Sequence, residues 1–138
     1  MATVFYICRK CGNVVLKCID SGVDLVCCGS QMQELIPSTE DSVREKHLPE
    51  IECRRDGTIR VKVGSMPHPM TPEHYISFIY LESEHGGQIR YLTPDDAPEA
   101  IFDVCGDKPV AVYAYCNIHG FWKKDIEDPC KTHSCKVL

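Results

Sequence analysis

In Tyr115-Cys116-Asn117-Ile118-His119-Gly120, a thiol and an imidazole stand three residues apart, so that one turn of chain can offer both to a single metal ion. Three further histidines lie upstream in polar or proline-rich settings: His47 in Glu45-Lys46-His47, His68 in Met66-Pro67-His68-Pro69-Met70, and His74 in Pro72-Glu73-His74-Tyr75. Imidazoles with a thiolate suit a transition metal rather than magnesium or calcium, which take oxygen ligands. Singly, each histidine reads as a surface or packed residue; together with Cys116 they read as ligands. We expect these five side chains to meet on one metal ion. His85 sits in a turn composition, Glu84-His85-Gly86-Gly87, and His133 lies in a polar terminal stretch, so neither belongs to this set.

A second set of donors opens the chain. Cys8-Arg9-Lys10-Cys11-Gly12 is followed fifteen residues later by Cys27-Cys28-Gly29, so four sulfurs arrive as two pairs, each followed by glycine. Cysteine pairs in tight turns can present their sulfurs to one tetrahedral ion, and glycine lets such turns close. The vicinal half departs from zinc-ribbon spacing, which has two intervening residues. Iron and zinc both accept four thiolates, so residue chemistry leaves a structural zinc knuckle level with an iron site, and a vicinal disulfide remains a third option.

These side chains need elements to carry them. Val14-Val15-Leu16 and Val23-Asp24-Leu25-Val26 read as short strands between the cysteine turns. Residues 1–36 are too few to bury a sufficient core alone, so a metal would contribute much of their folding free energy. Residues 37–46 open with proline, are polar, and read as a linker. Beyond them the pattern alternates: Thr58 to Val63, Tyr75 to Glu82, Gln88 to Leu92, Ala100 to Val104 and Val110 to Tyr115, with turn signals between. Five or more period-2 strands without a long helix predict an antiparallel β-sandwich over 47–124, and residues 125–138, with Cys130, His133 and Cys135, read as a polar C-terminal tail. Trp122 and Tyr113 read as core or interface aromatics, and Pro67 and Pro69 as stiffeners of the His68 loop.

The chain has 138 residues and a net charge of -5, with no run of Lys and Arg, which argues against a nucleic-acid or anionic-membrane surface. It contains no apolar run of membrane-spanning length. Residues 1–15 include Arg9, Lys10 and two cysteines but no uninterrupted apolar core or small-residue cleavage site, so the expected compartment is the cytoplasm and the ten cysteines are expected to be reduced.

Taken together these motifs resemble the desulfoferrodoxins, the two-iron class of superoxide reductase. The resemblance covers roughly residues 4–124. It rests on Cys8-x-x-Cys11 with Cys27-Cys28, on Glu45-Lys46-His47, on His68-Pro69-Met70 with Glu73-His74-Tyr75, on Asp96-Ala97-Pro98-Glu99-Ala100, and on Cys116-Asn117-x-His119-Gly120. It implies a mainly β protein: a rubredoxin-like (desulforedoxin-like) domain with a tetrathiolate iron on Cys8, Cys11, Cys27 and Cys28, then an immunoglobulin-like sandwich. The second iron, cycling between Fe2+ and Fe3+, would have His47, His68, His74 and His119 as equatorial ligands and Cys116 as the axial one. Cys18, Cys53, Cys105 and the Cys130/His133/Cys135 stretch depart from the pattern without removing a ligand.

The implied activity is one-electron reduction of superoxide to hydrogen peroxide, with electrons from a rubredoxin-type donor, in a homodimer. Five ligands leave an octahedral iron one position short, where a small anion can bind, and the thiolate opposite donates electron density. Lys46, beside a ligand, is the candidate to steer the anion against the chain's negative charge and to order proton-donating water. Glu45 resembles the family carboxylate that fills the sixth position when the iron is ferric. The competing readings are a rubredoxin-like electron carrier without superoxide chemistry, a metal- or redox-sensing module, and a superoxide dismutase. An outer-sphere carrier needs no open position, and an electron-rich thiolate makes the ferric form a poor oxidant for dismutation.

Overall fold

The computed structural model describes residues 3–38, 44–104 and 106–127, the side chains of Arg44 and Glu45 excepted. The chain divides into two compact units, Met1–Ile36 and Pro37–Leu138.

The first unit is built on a three-stranded antiparallel sheet in which β1 (Phe5–Ile7) is flanked by β2 (Val14–Leu16) and β5 (Gln33–Glu34). A second ribbon pairs β3 (Val26–Cys27) with β4 (Ser30–Gln31). Only Val26 of the expected strand over 23–26 is in the ladder. Phe5, Ile7, Cys8, Met32 and Leu35 are buried, while Ile19, Val23 and Val26 are each more than 60% exposed. That core is too thin to hold 36 residues by hydrophobic burial alone.

The second unit is an antiparallel β-sandwich. One sheet has the order β10-β7-β6, with β6 (Pro49–Cys53), β7 (Thr58–Val63) and β10 (Glu99–Asp103). The other has the order β12-β11-β8-β9, with β8 (Ile76–Ser83), β9 (Gly86–Tyr91), β11 (Pro109–Cys116) and β12 (Gly120–Asp125). Alternation explains the packing: Ile59, Val61 and Val63 of β7 point inward, where they meet Ile79 and Leu81 of β8, Phe102 of β10, and Val112 and Ala114 of β11. Cys116 ends β11 on this same inward face and is fully buried. The architecture is thus the expected mainly β one, with a single helical turn, α1 (Arg44–His47), among the described residues.

The alternating pattern located β7, β8, β10 and β11 to within a residue or two. It passed over β1, β6 and β12, which are short or rich in charged residues and therefore carry a weak hydrophobic period. Gly86 and Gly87, expected in a turn, belong to β9. A Cβ on Gly87 would collide with the Tyr80 ring across the ladder, so glycine here serves close packing rather than reversal.

Candidate metal centres

The five donors expected to meet arrive from four segments. His47 ends α1, His68 sits in the loop after β7, His74 precedes β8, and Cys116 with His119 span the β11–β12 turn. Their ligand atoms all lie within 4.8 Å of one another. His47, His68 and Cys116 are buried, His74 is half-buried and His119 is exposed, so the cluster is walled on the sandwich side and open at His119.

Backbone contacts set these approaches. The His68 amide donates to the Val63 carbonyl at 3.2 Å, and the Gly64 amide to the Leu48 carbonyl at 3.3 Å, tying the His68 loop to the chain just after α1. Gly64 adopts φ +86°, and a Cβ there would lie 2.7 Å from the Lys46 carbonyl oxygen. Only glycine suits both constraints. His74 is held by reciprocal amide-to-carbonyl bonds with Thr71. Asn117 brackets that loop against the cysteine turn: its Oδ1 accepts from the Tyr75 amide at 2.9 Å and its Nδ2 donates to the Glu73 carbonyl at 2.9 Å. Neither Gly64 nor Asn117 stood out from the sequence as a positioning residue, because what they touch is distant in the chain.

Protonation is arranged for ligation. His68 Nδ1 donates to the Pro69 carbonyl at 2.7 Å, which leaves Nε2 as the lone-pair nitrogen, and that atom faces His47 Nε2 at 3.0 Å. Burial is the largest cause that pushes the His68 pKa down to about 4, with the neighbouring His47, His74 and His119 adding to it. His74 is lowered as well, first by burial and then by its electrostatic interaction with His119 and Lys46. Both imidazoles are therefore neutral near pH 7. Burial pushes the Cys116 thiol up, partly opposed by the backbone amides of His119 and Ile118, one of which donates to Sγ from His119 at 3.4 Å. A cation would reverse that balance and hold the thiolate. The buried His74 Nε2 has no hydrogen-bond partner among the described residues, which fits a nitrogen reserved for a metal. Four imidazoles and one thiol form a donor set for a transition metal.

Cys8, Cys11, Cys27 and Cys28 form a second group within the same 4.8 Å limit. Cys27 and Cys28 are both free thiols with their sulfurs 4.0 Å apart, which removes the vicinal-disulfide option. The turns close as the glycines suggested: Gly12 at φ +84° donates to the Cys8 carbonyl at 2.8 Å, and Gly29 adopts φ +72°. Cys28 itself sits at φ 53°, an unusual conformation for a residue with a Cβ. The metal-free sulfurs compete for protons. Backbone hydrogen bonding at Cys11 leads the effects that lower the Cys8 pKa to about 6, whereas Cys28 is pushed up to about 12, first by its contact with Cys11. A divalent or trivalent ion would relieve this conflict by accepting all four thiolates.

Lys46 is exposed beside His47. The side chain of Glu45 lies outside the described residues, as do Cys105 and the stretch holding Cys130, His133 and Cys135. His85 is engaged elsewhere, its Nδ1 donating to Asp107 at 2.9 Å. The expectation of reduced thiols fails at Cys53, which is disulfide-bonded. Cys53 ends β6 at an exposed position, where a second cysteine has access to it.

Residues 39–125 match the model of the desulfoferrodoxin family. The chain belongs to that family. A desulfoferrodoxin from Nitratidesulfovibrio vulgaris is 44% identical over 87% of this chain and 94% of its own length. Among solved structures, superoxide reductase from Treponema pallidum superposes with a TM-score of 0.74 at 31% identity, covering 89% of this chain and 97% of that one. The one-iron superoxide reductase from Giardia intestinalis matches with a TM-score of 0.52 at 30% identity, covering 60% of this chain and 98% of that one. A match of that length cannot fit within Met1–Ile36 and must draw largely on the unit that carries the histidine and cysteine group.

Proposed function

We propose that this desulfoferrodoxin is a superoxide reductase: superoxide takes one electron and two protons and leaves as hydrogen peroxide. The observation that carries the reading is the convergence of His47, His68, His74, His119 and Cys116 at the open edge of a rigid sandwich. The superoxide reductases among its structural relatives support it.

Ferrous iron held by these five side chains would supply the electron and a position for the anion. The chain's own residues set the conditions. The neutral imidazoles of His68 and His74 leave the positive charge of the centre uncompensated apart from the Cys116 thiolate, so the site attracts an anion although the whole chain carries -5. Lys46 extends this positive focus to the surface, and its charge already acts on His74. Its ammonium orders water and offers protons at Nζ, while exposure at His119 admits solvent from which the two protons are drawn. Glu45, next in the chain, is assigned the carboxylate that closes the site after turnover.

Cys8, Cys11, Cys27 and Cys28 would hold a second iron, which would supply one-electron chemistry between a rubredoxin-type donor and the histidine site. The domain limits that go with this reading are 1–36 for the tetrathiolate domain, 37–46 for the linker, 47–124 for the catalytic sandwich and 125–138 for the tail. A cytoplasmic homodimer is the matching assembly, and no helix among the described residues is long and apolar enough to cross a membrane.

The test is the stoichiometry of peroxide formed to superoxide consumed, with iron-loaded protein, a rubredoxin-type donor and excess reductant under anaerobic conditions. One peroxide per superoxide with no oxygen evolved is expected. One peroxide per two superoxides, no faster than without protein, would overturn the reading and leave an electron carrier. For Lys46, the bimolecular rate constant of Lys46→Ala with superoxide should fall at low salt and converge on wild type as salt screens the charge. An unchanged low-salt rate would remove Lys46 from the mechanism.

A further inference from the structure

Trp122 is the largest fully buried side chain among the described residues, at 1% exposure, yet its indole Nε1 has no hydrogen-bond partner. An unpaired buried donor costs stability that a phenylalanine would keep. Hydrophobic filling alone therefore does not account for tryptophan on the inner side of β12. The ring's other contact does. Its face stacks on the His47 imidazole, with centroids 4.9 Å apart and planes inclined by 21°. His47 is held edge-on by His68 and by His119, each at 4.6 Å. The imidazole is thus enclosed on one face by indole and at its edges by two other members of the metal group.

We propose that Trp122 is a positioning residue for the metal centre, fixing the ring plane of His47 and stabilising, through its electron-rich face, the positive charge that this imidazole acquires as a ligand. This rests on the ligand role given to His47 above. Indole has the most electron-rich face among the aromatic side chains, and the stacking energy grows with the charge opposite it. The more oxidised centre places more positive charge on His47, so Trp122 favours the oxidised state over the reduced one and lowers the midpoint potential. It also strengthens metal retention, as partners that orient a ligand do. Neither effect would arise from a tryptophan that only fills space.

Trp122 is the only tryptophan in the chain, so biosynthetic incorporation of fluorinated tryptophan alters this ring alone. Fluorination withdraws electron density from the face with little change of shape. The midpoint potential of the iron-loaded protein is expected to rise stepwise from tryptophan to monofluoro- to trifluorotryptophan. A flat series in folded, iron-loaded protein would overturn the proposal. Trp122→Leu is expected to retain Fe2+ about 10-fold less tightly in competition with a chromophoric chelator, with Trp122→Phe between it and wild type. Equal retention by wild type and a folded Trp122→Leu protein would likewise overturn it, and the fluorinated series decides the matter if Trp122→Leu does not fold. Failure of the wild-type protein to hold Fe2+ at the histidines would instead remove the function reading on which this inference rests, an outcome visible before any variant is made.

Discussion

The two donor groups satisfy the same distance limit by opposite means. In the first unit the four sulfurs come from two tight turns on two- and three-residue strands, and of the four only Cys8 is buried in that unit's thin core. In the second, five donors come from four segments hung on a sandwich to whose core only Cys116 among them belongs, with Ile59, Val61, Ile79, Leu81 and Phe102 all fully buried. In the first arrangement a metal would be required for the fold, and in the second the fold is required to bring the donors together. A site that must keep an open position for a substrate benefits from the second, because its geometry does not collapse when a ligand position is left free.

Removing metal should give the largest contrast. Chelation, or the double change Cys11→Ser and Cys28→Ser, is expected to unfold Met1–Ile36, since metal binding in small tetrathiolate and related modules is worth about 10–16 kcal/mol. The sandwich should keep its structure. Amide dispersion in NMR spectra of the metal-free protein reads both units at once. Collapse of both, or of neither, would erase the distinction.

Core truncation tests the converse. Phe102→Ala is expected to cost about 3–5 kcal/mol in denaturant unfolding of the sandwich and to abolish metal binding with it. By contrast His74→Ala should change the stability of the metal-free protein by no more than about 1 kcal/mol, because it removes a buried nitrogen that has no partner. It should nevertheless abolish tight metal retention, seen by chelator competition.

A smaller effect separates the bracket from the ligands. Asn117→Ala deletes two bonds between the His74 loop and the β11–β12 turn and should cost about 1–3 kcal/mol, while raising the rate at which metal is lost. If unfolding free energy falls but metal release does not change, Asn117 secures the fold and not the site.

A graded effect is expected with pH. The folded-state pKa of His68 is about 4, below the value near 6.5 of an unfolded histidine, so the unfolded chain takes up the proton first. The stability of the metal-free sandwich is then fully present above about pH 6.5 and declines as the pH falls towards 4. His68→Gln should flatten that slope in unfolding titrations; an unchanged slope would assign it to other groups.

Much of this protein is legible along the chain. The vicinal pair, the CxxC and the five ligand-type residues are local motifs or rare residue types, and β7 announces itself because Thr58–Val63 alternates strictly between inward and outward positions. β6 and β12 do not, since Glu50, Glu52, Lys123, Lys124 and Asp125 mask a period that only packing reveals. The disulfide at Cys53 is not legible in the chain, because thiol oxidation depends on redox compartment, a property of the cell.

Sequence by itself determined which atoms are offered to metal, because donor chemistry belongs to the residue type: four sulfurs in glycine-closed turns, and four imidazoles with one thiol. Tertiary structure alone decided what surrounds them. It set the approach of Gly64 to Lys46, the bracket of Asn117 across the site, and the stacking of Trp122 on His47. Each of these depends on a distance between residues far apart in the chain. Only the closed sandwich sets such distances, because its sheets pack in one register and its core admits no other.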